Sequence, residues 1–475
     1  MNLHLAGGFD ERKIEEIVGG AIRVLEKTGM VLEHEKALKM LSDIKGIKVK
    51  NKKVLFSEEI CREYLEKYKK DERNRSPHRK FKLEGPWSAF YFLDPKTQDI
   101  RPATKEDLRY SLRLLEGLDI YRNVAPLQAT DLPKEIKAVT ECKIVIENAP
   151  RTGMAPLTNK QDIETVYEMC QVVGRKPPIW STEITISPLR LNPEAIDLVL
   201  EFLDKGMIIE GEPGPMISAG STGPLQCPAF FIQGLAEWLG GYIVLQSLSG
   251  GKLGNNPDFA TVFNGGLRFE PIHFDMKYAS PAFGSAESVI LRFLTRQIFR
   301  YLGGDPTIGG SMRTTSKSID AQCIAERSMN CLIEALDGVK VYVGAGMLSI
   351  DEAFSPELAV IDSEIIKYVK RVTEGIEYKE GMDEAVELIL RVSPQGTYLM
   401  DRTTVENFRR FFWDPEIFEH TTFAQWNEKG RPALREKVRQ KMDEVIKSYS
   451  FKLDEKKQKE IDRIYHSYLK EKRVC

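Results

Sequence analysis

The sequence predicts an α/β protein of the TIM type, a (β/α)8 barrel with helical additions at both ends. Two observations carry this. From about residue 100, capped helix starts alternate with short apolar or β-branched runs over some 250–300 residues, the texture of a parallel sheet with crossover helices. No GxGxxG opens a helix after an early strand and no Walker A loop is present, so a nucleotide-binding open sheet has no support. The boundaries follow as a helical N-terminal lobe over 1–85, a catalytic barrel over 86–400 and a helical C-terminal extension over 401–475.

In the first lobe, Ile14, Ile17, Val18, Ile22 and Leu25 mark one face of a helix over 11–28, and Gly29 its C-terminal stop. A second helix follows Ser57, and the basic stretch 74–82 is the exit. In the barrel, Thr104 caps a helix. Thr158 with Gln161 forms a capping box, and Asn192-Pro193 and Ser355-Pro356 each place a capping side chain before a first-turn proline. Between these starts, strands are expected at 121–127, 149–155, 178–186, 215–220, 259–264, 306–310 and 339–344, with an eighth at 206–210 or 396–400. Past 400, Thr403 with Glu406 gives another capping box, before the aromatic run 408–426. Leu434, Val438, Met442 and Val445 stripe one closing helix. The last, 453–472, is charged enough to face solvent on most sides.

Composition narrows the function classes. The chain has 475 residues, 29% charged and 42% hydrophobic, and 68 basic against 70 acidic side chains leave a net charge of -2. Nucleic acid or an anionic membrane would call for a basic excess. The N-terminus lacks a signal-peptide pattern, and no stretch is read as the roughly 20 apolar residues of a membrane span. Seven scattered cysteines, none in CxxC, fit free thiols in the cytoplasm.

Strand ends form the mouth of a barrel. Here they supply Trp180, Glu183 and Thr185; Ser218, Gly220, Ser221 and Thr222; Phe263 and Asn264; Arg268, His273, Asp275, Lys277 and Tyr278; Gly310 and Arg313; and Tyr342, Gly344 and Gly346. Each has a plain structural reading as a tight turn, a core aromatic or an ion-pair partner. Together, small residues and aromatics at several ends suit a bulky, flat or cationic ligand. GxSxG, HExxH and regularly spaced acidic or histidine ligands are absent, which leaves a triad hydrolase or a bound metal without support.

Six collinear segments then become recognisable: 91–108, 214–241, 275–288, 307–322, 341–365 and 411–430. They resemble the trimethylamine methyltransferase superfamily, the corrinoid-dependent MttB-like group, over roughly 90–430. The resemblance implies a barrel whose mouth docks on a small corrinoid-carrying protein, with cobalamin held by that partner and none bound tightly here. With twenty ordinary amino acids throughout, the chain resembles the branch without pyrrolysine, which demethylates quaternary amines such as glycine betaine in one-carbon metabolism of the methanogenic or acetogenic type.

On that reading Trp180, Phe263, Tyr278 and Tyr342 form a cation–π cage, with Glu183 as counter-charge. Arg313, His273 and Arg268 compete for a betaine carboxylate. Gly220, Ser221, Gly310, Gly344 and Gly346 line the approach of the corrinoid. The stretch 265–280 is richer in charge and aromatics than the family pattern, as a substrate-specific patch or an insertion would be. Other readings keep the barrel but give it a different methyl donor or acceptor, such as a folate, or a non-catalytic role binding betaine or the corrinoid protein. Symmetric homo-oligomers are common at this size.

Overall fold

The computed structural model describes residues 8–70, 80–85, 88–123, 125–151, 159–175, 182–204, 211–212, 214–250, 268–304, 307–376, 381–392 and 396–473. Among these the chain is a mixed α/β protein whose helices enclose several small sheets. Ile308–Ser311 pairs in parallel with Val341–Val343, which pairs in parallel with Lys82–Glu84, which pairs in parallel with Tyr121–Asn123. Met216–Ala219 runs parallel to Glu270–Asp275, and Gly211–Glu212 to Thr182–Glu183. Strand Lys82–Glu84 therefore sits beside one 259 residues later in the chain (Lys82 opposite Val341), and these two elements are joined only through the tertiary fold.

Lys82–Glu84 is a strand that the sequence reading assigned to the exit of the N-terminal lobe. Its three residues carry charge at both ends, and Glu84 is buried against Arg122 Nε at 2.8 Å. A second correction concerns the neighbour of Met216–Ala219. It is Glu270–Asp275, inside the stretch 265–280 expected to be a substrate-specific patch or an insertion, where Pro271 and the terminal acids mask the strand pattern. The expected strand at 259–264 lies outside the described residues, as do 206–210 and most of 149–155. Of the other site proposed for an eighth strand, 396–400, Tyr398–Met400 is a short 3-10 turn.

The helix caps follow ordinary rules with two shifts. Thr104 accepts from Asp107 N in a full capping box, and Ser355 and Asn192 cap the helices that begin with Pro356 and Pro193. Asn159 caps Lys160–Val173, and Asp401 caps Arg402–Phe411. Each lies near the hydroxyl expected to do so, Thr158 being outside the described residues. A side-chain oxygen one or two positions away meets the same free N–H groups. Gly29 has φ +64, and a Cβ there would stand 2.2 Å from Val54 O, so the first helix can stop only on glycine.

One helix contradicts the reading that no stretch suits a bilayer. Cys227–Leu248 has 22 residues and is long and apolar enough by length and composition, with 78% of its most apolar window buried inside the protein. Its apolar character on all sides is explained by its neighbours. Glu11–Lys27 packs along it, and Trp238 and Tyr242 meet Tyr68 of the helix Glu58–Lys70 at ring separations of 4.9 and 5.9 Å. Near the other end of the chain, Glu455–Glu471 faces solvent on most sides, as expected, and packs by one face. It buries Ile461, Ile464 and Tyr468, and Tyr468 Oη donates to Asp162 Oδ1 at 2.9 Å.

Candidate functional site

A cleft of about 670 Å³ opens beyond the ends of two strands, Glu270–Asp275 and Ile308–Ser311. One wall is the chain leaving Glu270–Asp275, and the other is the loop after Ile308–Ser311 that leads into the helix Ala321–Leu336. Both walls are polar because each must satisfy the first turn of a helix. Ser285 caps Ala286–Tyr301 by accepting from Ser288 N, and Asp320 caps Ala321–Leu336 by accepting from Cys323 N at 2.9 Å.

His273 is at the centre of the first wall. Its Nδ1 lies 2.9 Å from Ser285 Oγ and 3.6 Å from Glu287 Oε2. Asp275 Oδ1 accepts from Lys277 N at 2.8 Å and Tyr278 N at 3.2 Å, which pins the turn that carries Tyr278. In the second wall Glu326 gathers Thr314 Oγ1 at 2.5 Å, Thr315 N at 3.0 Å and Gln322 Nε2 at 2.7 Å. Hydrogen bonds from Ser318, Cys323 N and Ser316 hold the Asp320 carboxyl below its ordinary range. The lining thus presents Asp275, Glu287, Asp320 and Glu326 against Lys317 and a histidine. Such a field attracts a cation and repels an anion. Among the described residues no group of histidine, cysteine and carboxylates could hold a metal ion.

The residues singled out from the sequence are distributed unevenly around this cleft. His273 and Tyr278 line it, Tyr278 as a 69% exposed side chain with Lys277 Nζ 5.0 Å from its ring centre. Gly220 and Ser221 form a tight turn after Met216–Ala219, with Gly220 N donating to Gly223 O at 3.0 Å. Met276, from the turn beside the cleft, comes within 3.5 Å of a Cβ built on Gly220. Glu183 is half-buried, and burial pushes its carboxyl above the ordinary range. Trp180 and Phe263 lie outside the described residues.

Arg313 is not open to a ligand. It is buried, its Nε donates to Asp351 Oδ2 at 2.5 Å, Glu270 is 3.6 Å away, and its guanidinium covers the Phe283 ring at 4.8 Å. Arg268 is likewise engaged, donating from Nε to Tyr68 Oη at 2.8 Å. Tyr342 is fully buried and donates to the backbone carbonyls of Cys331 at 3.1 Å and Val339 at 3.2 Å. It therefore points into the layer between its strand and the helix Ala321–Leu336, away from the cleft. Three glycines serve packing. A Cβ on Gly310 would stand 2.3 Å from the Tyr342 ring, on Gly344 2.5 Å from Arg313, and on Gly346 2.4 Å from Phe354. Missed altogether were Ser285, Glu287, Thr315, Lys317, Asp320 and Glu326. Most sit inside the two motifs 275–288 and 307–322, so the signal was there, but as short polar side chains that look like helix caps.

Fold and cleft define an α/β protein with parallel strands and an acidic, hydroxyl-rich site at two of their ends. Comparison with known proteins makes this specific. The family model for trimethylamine methyltransferase (MTTB) matches residues 3–471, so the chain belongs to that family. It is 22% identical to glycine betaine methyltransferase of Desulfitobacterium hafniense strain Y51, over 92% of each chain. It is also 22% identical to trimethylamine methyltransferase MttB of D. hafniense strain DCB-2, over 93% of this chain and 90% of the relative. Against trimethylamine methyltransferase MttB1 of Methanosarcina mazei identity is 27%, over 70% of this chain and 64% of that protein.

Proposed function

We propose that this protein takes a methyl group from a quaternary amine, glycine betaine, and delivers it to Co(I) of a separate corrinoid protein. The observation that carries the reading is the charge of the cleft: four carboxylates against one lysine and one histidine, in a chain matching a glycine betaine methyltransferase over 92% of both lengths. A site of about 670 Å³ admits a betaine with room for a flat partner above it.

The chemistry asks little proton handling of the protein. A trimethylammonium group leaves as a neutral tertiary amine. The C–N bond breaks with its electron pair staying on nitrogen, while a cobalt electron pair makes the new bond to carbon. The chain's task is to hold the cation, exclude water and set the methyl in line with the acceptor. Asp275 and Glu287 supply the attracting field, and Glu183 adds a carboxylate from another strand end. Lys317, the cation of the lining, and His273, through a ring N–H, face the carboxylate of the substrate, the role for which Arg313 and Arg268 are unavailable.

In the same reading the parallel strands close into a (β/α)8 barrel. Lys82–Glu84, Tyr121–Asn123, Thr182–Glu183, Gly211–Glu212 with Met216–Ala219, Glu270–Asp275, Ile308–Ser311 and Val341–Val343 supply seven of its strands. The seam is the pairing of the last with the first, and the corrinoid protein docks over the mouth. A strongly reducing Co(I) acceptor places the enzyme in the cytoplasm. The test is product analysis with methyl-labelled betaine and a reconstituted corrinoid protein. One dimethylglycine per methyl group accepted is expected; betaine left intact while trimethylamine is consumed would reverse the substrate assignment.

A further inference from the structure

Apolar surface is distributed very unevenly on this chain. Of the 26 large hydrophobic side chains that are exposed among the described residues, sixteen fall between Tyr368 and Leu434. Two helices in that region, Met382–Val392 and Arg402–Phe411, bury no residue at all, and neither does the Tyr398–Met400 turn between them. Both helices are nevertheless patterned for burial. Val386, Ile389 and Leu390 share one face of the first; Val405, Phe408 and Phe412 follow at three- and four-residue spacing along the second.

Helices of 11 and 10 residues are too short to persist in water by propensity alone, since below about 12–15 residues an isolated helix is marginal. Something must cover them. The pair is itself fixed in place, because Arg391 Nη2 bonds Asp401 Oδ2 at 2.7 Å and Arg371 Nη2 donates to Phe411 O at 2.7 Å. The apolar surface is thus presented by an ordered element.

We propose that this face packs against the same face of a second copy of the chain, with Met382–Val392 of one copy lying on Arg402–Phe411 of the other. Charge complementarity selects the occupant. The first helix carries Asp383, Glu384 and Glu387 against Arg391; the second carries Arg402, Arg409 and Arg410 against Glu406. A two-fold axis brings an acidic helix onto a basic one twice, as an isologous contact requires. An anionic membrane does not fit, because 376–434 holds eleven acidic and seven basic residues. A corrinoid protein that must leave after each turnover does not fit either, since broad apolar contacts belong to permanent assemblies. The inference stands independently of the methyl-transfer reading.

The experiment is sedimentation velocity on the full-length chain and on two charge-reversed variants. One is Arg409→Glu with Arg410→Glu, and the other Asp383→Lys with Glu384→Lys and Glu387→Lys. The wild type should sediment as a dimer or a multiple of it. Each variant alone should shift at least tenfold toward monomer and melt cooperatively, losing at most the circular dichroism of the two short helices, because the altered side chains are on the surface and the rest of the fold does not depend on them. An equimolar mixture should recover the wild-type assembly, since each mixed contact again opposes acid and base. Ile389→Glu with Phe408→Glu should dissociate it without rescue by either partner. A monomeric wild type, variants that assemble as well as wild type, or variants that dissociate without recovery on mixing would each overturn the proposal. So would a monomeric chain whose face is covered only when a corrinoid protein or lipid vesicles are added.

Discussion

Replacing Arg313 by methionine distinguishes a structural ion pair from a substrate-binding residue. Its side chain is 6% exposed and sits between Asp351 and Glu270, at 9% and 2% exposure. Removing the guanidinium leaves two buried carboxylates without their cation, and breaking a buried pair this way costs about 3–5 kcal/mol. Unfolding entropy of about 2.1 cal/mol/K per residue gives, over 475 residues, roughly 1 kcal/mol/K. The melting temperature should therefore fall by about 3–5 °C, read by circular dichroism or scanning fluorimetry. Burial already pushes Glu270 above the ordinary carboxylate range against the pull of Arg313. Without Arg313 that carboxyl takes a proton more readily, so the deficit should be smaller at pH 5 than at pH 8. Asp351→Asn added to Arg313→Met should recover part of the loss. An unchanged melting temperature with a KM for betaine raised tenfold or more would refute this reasoning and return Arg313 to the substrate.

Four further outcomes follow from the cleft and the strands beneath it. Glu287→Gln and Asp275→Asn should each raise KM for a cationic substrate about fivefold, the equivalent of ~1 kcal/mol for a charge pair near 4 Å in water, with kcat changed less than twofold and the effect fading in high salt; steady-state kinetics at two ionic strengths checks this. Gly310→Ala, whose new Cβ would stand 2.3 Å from the Tyr342 ring, should destabilise by about 1–3 kcal/mol through overpacking. Tyr342→Phe should cost only ~0.5–1.5 kcal/mol and leave KM unaltered, whereas a large KM effect would make Tyr342 part of the substrate cage after all. Burial raises the Glu183 pKa above its unfolded value, so the stability tied to this group is full below about pH 4.5 and declines as pH rises through the folded value. Glu183→Gln should accordingly melt higher than wild type at pH 8 and show no such gain at pH 4, as melting curves at the two values will show.

Much of the architecture was legible because it rests on local rules. Asn192, Ser355 and Thr104 each stand before an apolar periodic run, and a capping oxygen there has one physical job. The short strands were legible where β-branched residues dominate, as at Val341–Val343, and hidden where charge interrupts them, as at Lys82–Glu84 and Glu270–Asp275. The side chains were harder. A residue in a parallel strand is apolar whichever face it points to, so Tyr342 could not be assigned to the mouth or to the helix layer from its neighbours in sequence. Arg313 reads as a free cation until the fold brings Asp351, 38 residues later, against it. Ser285 and Asp320 show the opposite limit: both were invisible as site residues because a helix cap and a polar cleft wall use the same side chains. Two of the six segments that carry the family resemblance, 275–288 and 307–322, supply most of the cleft lining, and the resemblance does not choose among their residues.

The measurement that bears most directly on the function is the spectrum of chemically reduced Co(I)-cobalamin mixed with this protein and, in separate cuvettes, glycine betaine, proline betaine, carnitine and trimethylamine. Methylated cobalt should accumulate with glycine betaine, fastest of the panel, and not with trimethylamine, which lacks the fixed charge that makes its nitrogen a leaving group. Methylation by trimethylamine in preference to the betaines, or none with any quaternary amine while a relative works under the same conditions, would contradict the reading of this cleft.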